Sequence, residues 1–159
     1  MIFYECFSDE RLVKALTGLG KDVLRHSFGK PRVCSELSKR KDSKGLIDED
    51  KGAAKPPYLA KIAKNSPLID SAKHNKLRVH KDPKRNNCLI IICPRLEEWI
   101  LEIARKEKVS PNDFDLPETP GELHKISSKE QRDNFEKFIR KLQAQGSEDL
   151  KALQSLLLA

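Results

Sequence analysis

Cys88-Leu89-Ile90-Ile91-Ile92-Cys93 is the most apolar run of the chain, and its character decides the fold. A continuous run rich in β-branched residues is a strand covered on both faces, because a half-exposed strand alternates apolar with polar positions. Strands of this kind belong to parallel sheets with helices on either side. Pro94 closes the run and suits a first helical turn. The segment Arg95 to Lys108 then carries Leu96, Trp99, Ile100 and Ile103 at helical spacing on one face. At about 100° per residue, Glu98 points away from that stripe, whereas Glu97 falls between Leu101 and Ala104 at the margin of the buried arc. A carboxylate there is costly unless it is paired, coordinated or beside a water-filled cleft. Glu97 is therefore a second-rank site candidate, against the plainer alternative of an edge glutamate reaching solvent.

Upstream, Leu77-Arg78-Val79-His80 alternates like a strand, and Asp82 to Asn87 is a polar, basic turn leading into the apolar run. A further strand is read in Gly45-Leu46-Ile47-Asp48, which continues as Glu49-Asp50-Lys51-Gly52. In an extended strand end, residues two apart share a side, so Asp48 and Asp50 are expected to aim at one point. Met1 to Cys6 is a third short, buried strand, and Ser8 or Asp9 offers an N-cap to a helix with Leu12, Val13, Leu16 and Leu19 on one face. Between them, Val23, Leu24 and Phe28 continue or restart a helix, Gly29-Lys30-Pro31 breaks it, and Ser35 to Lys41 is a short helix. Gly52 to Pro57 is a loop and Tyr58 to Lys64 another short helix. Residues 109 to 122 form a proline-rich ordered loop. Two helices end the chain, one with Phe135, Phe138, Ile139 and Leu142, the other capped by Ser147 with Leu150, Leu153 and Leu157.

The chain has 159 residues, enough for one domain with a real core. Its 31 Lys and Arg against 24 Asp and Glu give a net charge of +7, compatible with phosphate-bearing partners, nucleic acid above all, and equally with plain solubility. Cys6, Cys34, Cys88 and Cys93 show no C-x-x-C spacing and three sit in apolar or strand-like runs, so buried thiols are expected rather than zinc ligands or disulfides. His26, His74, His80 and His124 lack ligand spacing. The amino-terminal residues do not have the charged and apolar regions of a signal peptide, and no apolar run approaches membrane-spanning length. A cytoplasmic protein is the expectation.

Glu5, at the end of the first strand, shares a rim with Asp48 and Asp50 if their strands run the same way. Carboxylates converging at a point repel unless a cation lies between them, and a hard cation such as Mg²⁺ takes oxygen ligands. Such a cation binds phosphate oxygens and neutralises developing charge, with Glu5 as general base, acid or further ligand. Lys39, Arg40, Lys41, Lys44 and Lys51 are the candidates for guiding a polyanion to it. An Asp-rich turn without metal is the ordinary alternative.

Glu5-Cys6-Phe7-Ser8-Asp9 after an apolar strand, with Asp48-x-Asp50 at a later strand end, resembles the Toprim domain of topoisomerases, primases and overcoming-lysogenisation-defect-type nucleases. Glu5 and Asp9 match the spacing of its first motif, a strand-end Glu with an Asp four positions on, and Asp48 and Asp50 match its second. Glu97-x-Trp99-Ile100-Leu101 is similar to the Glu-x-Trp-Leu-Leu signature of small stand-alone Toprim-like proteins. Cys6 departs from the family, which has Gly there. The resemblance covers residues 1 to about 105. It implies a single compact α/β domain with a mainly parallel, Toprim/Rossmann-like sheet over residues 1–108, and residues 109–159 packing on it as a proline-rich connection and C-terminal helices. It implies Mg²⁺ (or Mn²⁺) held by Asp48, Asp50 and Glu5, which are then the catalytic residues of a nuclease-like phosphodiester reaction on DNA or RNA, with Asp9 in a second rank. The alternative is a non-catalytic binding subunit of a nucleic-acid-processing or defence system, working with a protein partner or as a homodimer. Topoisomerase chemistry is not expected, because Tyr4 and Tyr58 look like packing residues.

Overall fold

A computed structural model of the chain describes residues 1–66 and 75–159. Among these, five strands form one sheet in the order β2-β1-β3-β5-β4, where β1 is Ile2–Tyr4, β2 Leu24–His26, β3 Lys44–Asp48, β4 Leu77–Asp82 and β5 Asn87–Ile92. β1 runs parallel to β2 and β3, β3 runs parallel to β5, and β4 closes the edge antiparallel to β5. The described helices are α1 (Phe7–Thr17), α2 (Lys30–Lys39), α3 (Pro57–Asn65), α4 (Leu96–Glu107), α5 (Pro120–His124), α6 (Lys129–Ala144) and α7 (Glu148–Leu158). The chain is thus a single α/β domain whose mostly parallel sheet is flanked by helices, the C-terminal ones included. Among the described residues no helix is long and apolar enough to cross a membrane.

The two-residue period of a strand divides the core in two. Ile2, Tyr4, Leu46, Ile90 and Ile92 point to one face and pack with Leu12 and Leu16 of α1, Trp99 and Ile100 of α4, and the apolar faces of α6 and α7. Phe3, Ile47, Leu89 and Ile91 point to the other and meet Val33, Cys34 and Leu37 of α2 and Tyr58, Leu59 and Ile62 of α3. Both faces of β5 are therefore covered, which is why its sequence shows no polar alternation. Gly45 is required where α2 crosses β3. A Cβ there would stand 2.8 Å from a Leu37 methyl and 2.9 Å from methyls of Leu89 and Val33, inside contact distance for any side chain. The far end of the sheet is fixed by Asn87, whose Nδ2 donates to the Leu37 carbonyl at 2.8 Å and whose Oδ1 accepts from the Ser43 amide at 3.0 Å. The Tyr58 hydroxyl donates to Asp82 Oδ2 at 3.0 Å, a packing role as expected.

Several local expectations give way. Leu24 to His26 do not continue a helix: Gly18 ends α1 in the left-handed region at φ 71°, and these residues pair as a strand with β1. A three-residue strand with one fully buried side chain, Leu24, is too short for its period to register in sequence. Gly29-Lys30-Pro31 begins α2 instead of breaking a helix. Gly29 is the N-cap at φ 111° and Pro31 lies in the first turn, where a missing N–H costs nothing. Neither Ser8 nor Asp9 caps α1. Cys6 holds the N-cap position, and Asp9 Oδ2 reaches back to accept from the amides of Glu5 at 3.1 Å and Cys6 at 2.9 Å, the returning half of a capping box. Pro94 stands outside α4, whose N-cap is Arg95. The connection 109–122 is not plain loop, since prolines open a 3-10 turn at Pro111–Phe114 and α5 at Pro120. The two final helices follow the expected pattern, with Ser147 Oγ accepting from the Leu150 amide at 3.3 Å. His74 lies outside the described residues.

Candidate functional site

The chain reverses sides between β1 and β3: α1 leads outward to β2 on one side, and β3 leads on to β5 on the other. In such sheets a crevice opens beyond the carboxyl ends of the two strands. Register sets Tyr4 beside Leu46, so Glu5 leaves β1 next to the end of β3. There Glu5 Oε1 accepts from the Asp48 amide at 2.8 Å, and Asp48 Oδ1 accepts from the Leu96 amide at 2.9 Å, in the first turn of α4. Two more carboxylates face this point. Asp9 is 3% exposed and Glu97 is 5% exposed, the latter bonded through Oε1 to His124 Nδ1 at 3.0 Å.

Electrostatically the rim is short of counter-charge. Burial first, then the charges of Asp9, Glu97 and Glu5, push the Asp48 carboxyl from 3.8 up to about 9. Burial likewise carries Asp9 to about 7, with Glu5 and Glu97 adding to the rise and the Cys6 amide opposing it. Glu5 is raised by burial, against the Asp48 amide and the charge of Lys30, which lower it. The burial of Glu97 anticipated from helical spacing is thus part of a four-carboxylate group drawn from β1, α1, β3 and α4, while Glu98 is only half-buried.

Asp50 stands apart from these. β3 ends at Asp48, and Asp50 adopts a left-handed φ of 47°, so strand alternation does not extend to it. Its carboxylate turns instead to Arg95 Nε at 2.9 Å and Lys30 Nζ at 3.5 Å. Lys30 is 8% exposed and also donates to the Glu49 carbonyl at 2.7 Å, locking the turn after β3. A cavity of about 440 Å³ opens beside it, with Asp48, Asp50, Lys30, Lys51, Lys55 and Arg78 among its walls. Arg78 is held by Glu49 at 2.6 Å.

Of the basic candidates, Lys51 alone reaches this cavity. Lys39, Arg40 and Lys41 precede β3 and Lys44 opens it, whereas Asp48 closes it about 13 Å further on, at about 3.3 Å per residue. Lys44 Nζ is occupied at that opposite end by the carbonyls of Leu157 and Ala159. The cations at this end are Lys30, whose charge acts on Glu5, Lys55 and Arg78 in the cavity wall, and Arg95 on Asp50. Their only sequence signal was position, since Lys30 and Arg95 sit at the starts of helices that follow strand ends. His124 carried no signal, because it meets Glu97 from a helix 27 residues away.

No three His, Cys, Asp or Glu side chains stand as a ready ligand group for a metal among the described residues. The chemistry of the donor set nevertheless fits a hard cation. It is made of carboxylates alone, and two of them retain protons at or above neutrality for which a divalent ion would compete. Compared with protein-family models, with curated proteins and with solved structures, the chain matches none of them.

Proposed function

We propose that the rim formed by Glu5 and Asp48 is the site of Mg²⁺-dependent phosphodiester chemistry on nucleic acid, nuclease-like in type. The observation that carries it is the convergence of Glu5, Asp9, Asp48 and Glu97 from four separate elements, beside a cavity walled by Lys30, Lys55 and Arg78. The motif spacing that resembles Toprim supports the same assignment. Asp48 would hold the cation, with Asp9 fixing the backbone at Glu5 through its bonds to the Glu5 and Cys6 amides. When bound, Mg²⁺ (or Mn²⁺) neutralises charge developing on phosphate oxygens. Lys30, Lys55 and Arg78 hold a phosphate in the cavity by charge-assisted hydrogen bonds. Glu5, its pKa raised by burial, moves a proton to or from the oxygen at the scissile phosphorus. Asp50 keeps the turn shaped through Lys30 and Arg95.

The test is calorimetric titration of Mg²⁺ and Mn²⁺, together with cleavage of labelled single-stranded and duplex oligonucleotides. Expected are metal binding lost in Asp48→Asn and cleavage reduced roughly 100-fold or more in Glu5→Gln. No binding at millimolar metal, with oligonucleotide present, would remove the enzymatic assignment and leave a nucleic-acid-binding or partner subunit.

A further inference from the structure

On the β2 side of the same rim, aromatic rings form an exposed column. His26 stacks on Tyr4 with centroids 5.6 Å apart and planes 3° from parallel. The Phe28 ring lies 3.9 Å from the same imidazole, tilted by 32°, and Phe7 leans on it at 4.6 Å and 56°. The column ends in solvent: Phe28 is 68% exposed and Phe7 is 42% exposed. Phe28 is also held at φ 53°, a region that bulky side chains rarely occupy. Phe28 is thus kept outside the core on strained backbone, in contact with the His26 ring and near the Arg32 guanidinium.

The surroundings are cationic. The guanidinium of Arg132 covers Phe7 at 3.9 Å, and that of Arg32 stands 6.0 Å from the Phe28 ring. Phe28 and His26 wall a hollow of about 460 Å³ whose other sides include Phe3, Arg25, Arg32 and Lys39. Among the described residues no carboxylate pairs with Arg25, Arg32 or Lys39, although Arg25 Nη1 donates to the Lys21 and Leu24 carbonyls, while Glu36, also in the lining, is paired with Arg40 at 3.0 Å. The hollow adjoins the acidic rim directly, since His26 Nε2 hydrogen-bonds the Glu5 carbonyl oxygen at 2.8 Å. Two residues beyond Phe28, Lys30 reaches into the cavity beside Asp48.

We infer that the Phe28–His26 column is a stacking platform for an unpaired base of single-stranded nucleic acid, with Arg25, Arg32 and Lys39 receiving the adjoining phosphates. Exposed aromatic faces combined with unpaired cations are what a single strand recognises, and a paired base has no free face to offer. The platform is tied to the rim through the His26 bond to the Glu5 carbonyl, and the hollow runs from there along α2 towards Lys39. The inference deepens the phosphodiester assignment and rests on it for the purpose of binding, not for the binding itself.

It is tested without metal. Fluorescence anisotropy in chelator compares a labelled oligothymidylate, an abasic strand of the same length and the corresponding duplex. The oligothymidylate is expected to bind tightest, and Phe28→Ala to weaken it roughly ten- to a hundredfold while leaving the abasic strand unchanged. Phe28→Trp should restore the preference. Arg32→Gln should weaken both single strands alike and lower the salt dependence. Equal affinity for abasic and base-bearing strands, tighter binding of duplex, no binding of any strand, or an unaltered Phe28→Ala with native thermal unfolding would each overturn the platform. The two assignments fail separately in the wild-type protein: a preference for oligothymidylate in chelator without calorimetric uptake of Mg²⁺ removes the rim alone, and uptake of Mg²⁺ without that preference removes the platform alone.

Discussion

Replacing Asp48 by Asn measures how short of counter-charge the rim is. Burial and the carboxylates of Asp9, Glu97 and Glu5 lift the Asp48 pKa from 3.8 to about 9. The folded state therefore binds this proton more tightly than the unfolded chain does. That contribution to stability is complete below the unfolded pKa of 3.8 and is lost as pH rises towards about 9. Within the window each pH unit removes about 1.4 kcal/mol per proton. Asp9, raised to about 7, loses only the last about 0.4 kcal/mol of its share above neutrality, and the thiols, all raised by burial, titrate higher still, so Asp48 dominates the interval above neutrality. From about pH 7 to about pH 8.5 the wild type should lose about 2 kcal/mol. The Asp48→Asn variant retains an oxygen for the Leu96 amide, now 2.9 Å from Oδ1, and carries no titrating proton, so it should lose less than about 0.5 kcal/mol over the same interval. Urea unfolding in chelator, followed by the fluorescence of Trp99, the single tryptophan, gives both numbers. Parallel pH slopes for the two proteins would refute the account of the rim as a proton-holding carboxylate cluster.

Gly45→Ala should destabilise the domain by about 1–3 kcal/mol, because its Cβ would stand within 2.9 Å of methyls on Leu37, Leu89 and Val33. A lowered urea midpoint with an unchanged slope is the expected signature, and an unmoved midpoint would mean that α2 can lift from β3 at little cost. The four thiols should resist Ellman's reagent in the native protein and react promptly once it is unfolded. Burial, the main cause, pushes Cys34 and Cys93 up to about 11 and raises Cys6 and Cys88 as well, and the thiolate is the reactive form. Prompt labelling of any cysteine in the folded state would contradict this.

Much of the fold was legible because it rests on local periodicity. The Cys88–Cys93 run, the Leu96–Trp99–Ile100–Ile103 stripe and the faces of α6 and α7 each state which side is buried, since burial in a regular element follows from spacing alone. The same spacing placed Glu97 at the margin of the buried arc, where the structure buries it, whereas Glu98, expected to face solvent, is half-buried. Glu5 and Asp48 could be located at strand ends for that reason. What failed was whatever depended on fewer residues than a period: three-residue β2, the start of α2 at Gly29, and the cap at Cys6.

By itself, then, the sequence determined an α/β domain with a doubly covered sheet and carboxylates at the ends of its strands, because hydrophobic period and strand termination are properties of consecutive residues. Only the tertiary structure decided which of those carboxylates meet. Strand order brought Glu5 against the Asp48 amide, α4 delivered Glu97, and the left-handed turn after β3 sent Asp50 to Lys30 and Arg95. Strand order likewise placed Lys44 at the far end of the sheet from Asp48, and gathered Tyr4, Phe7, His26 and Phe28 into one column. These are juxtapositions of residues distant along the chain, set by how strands pair and helices cross, and no local spacing encodes them.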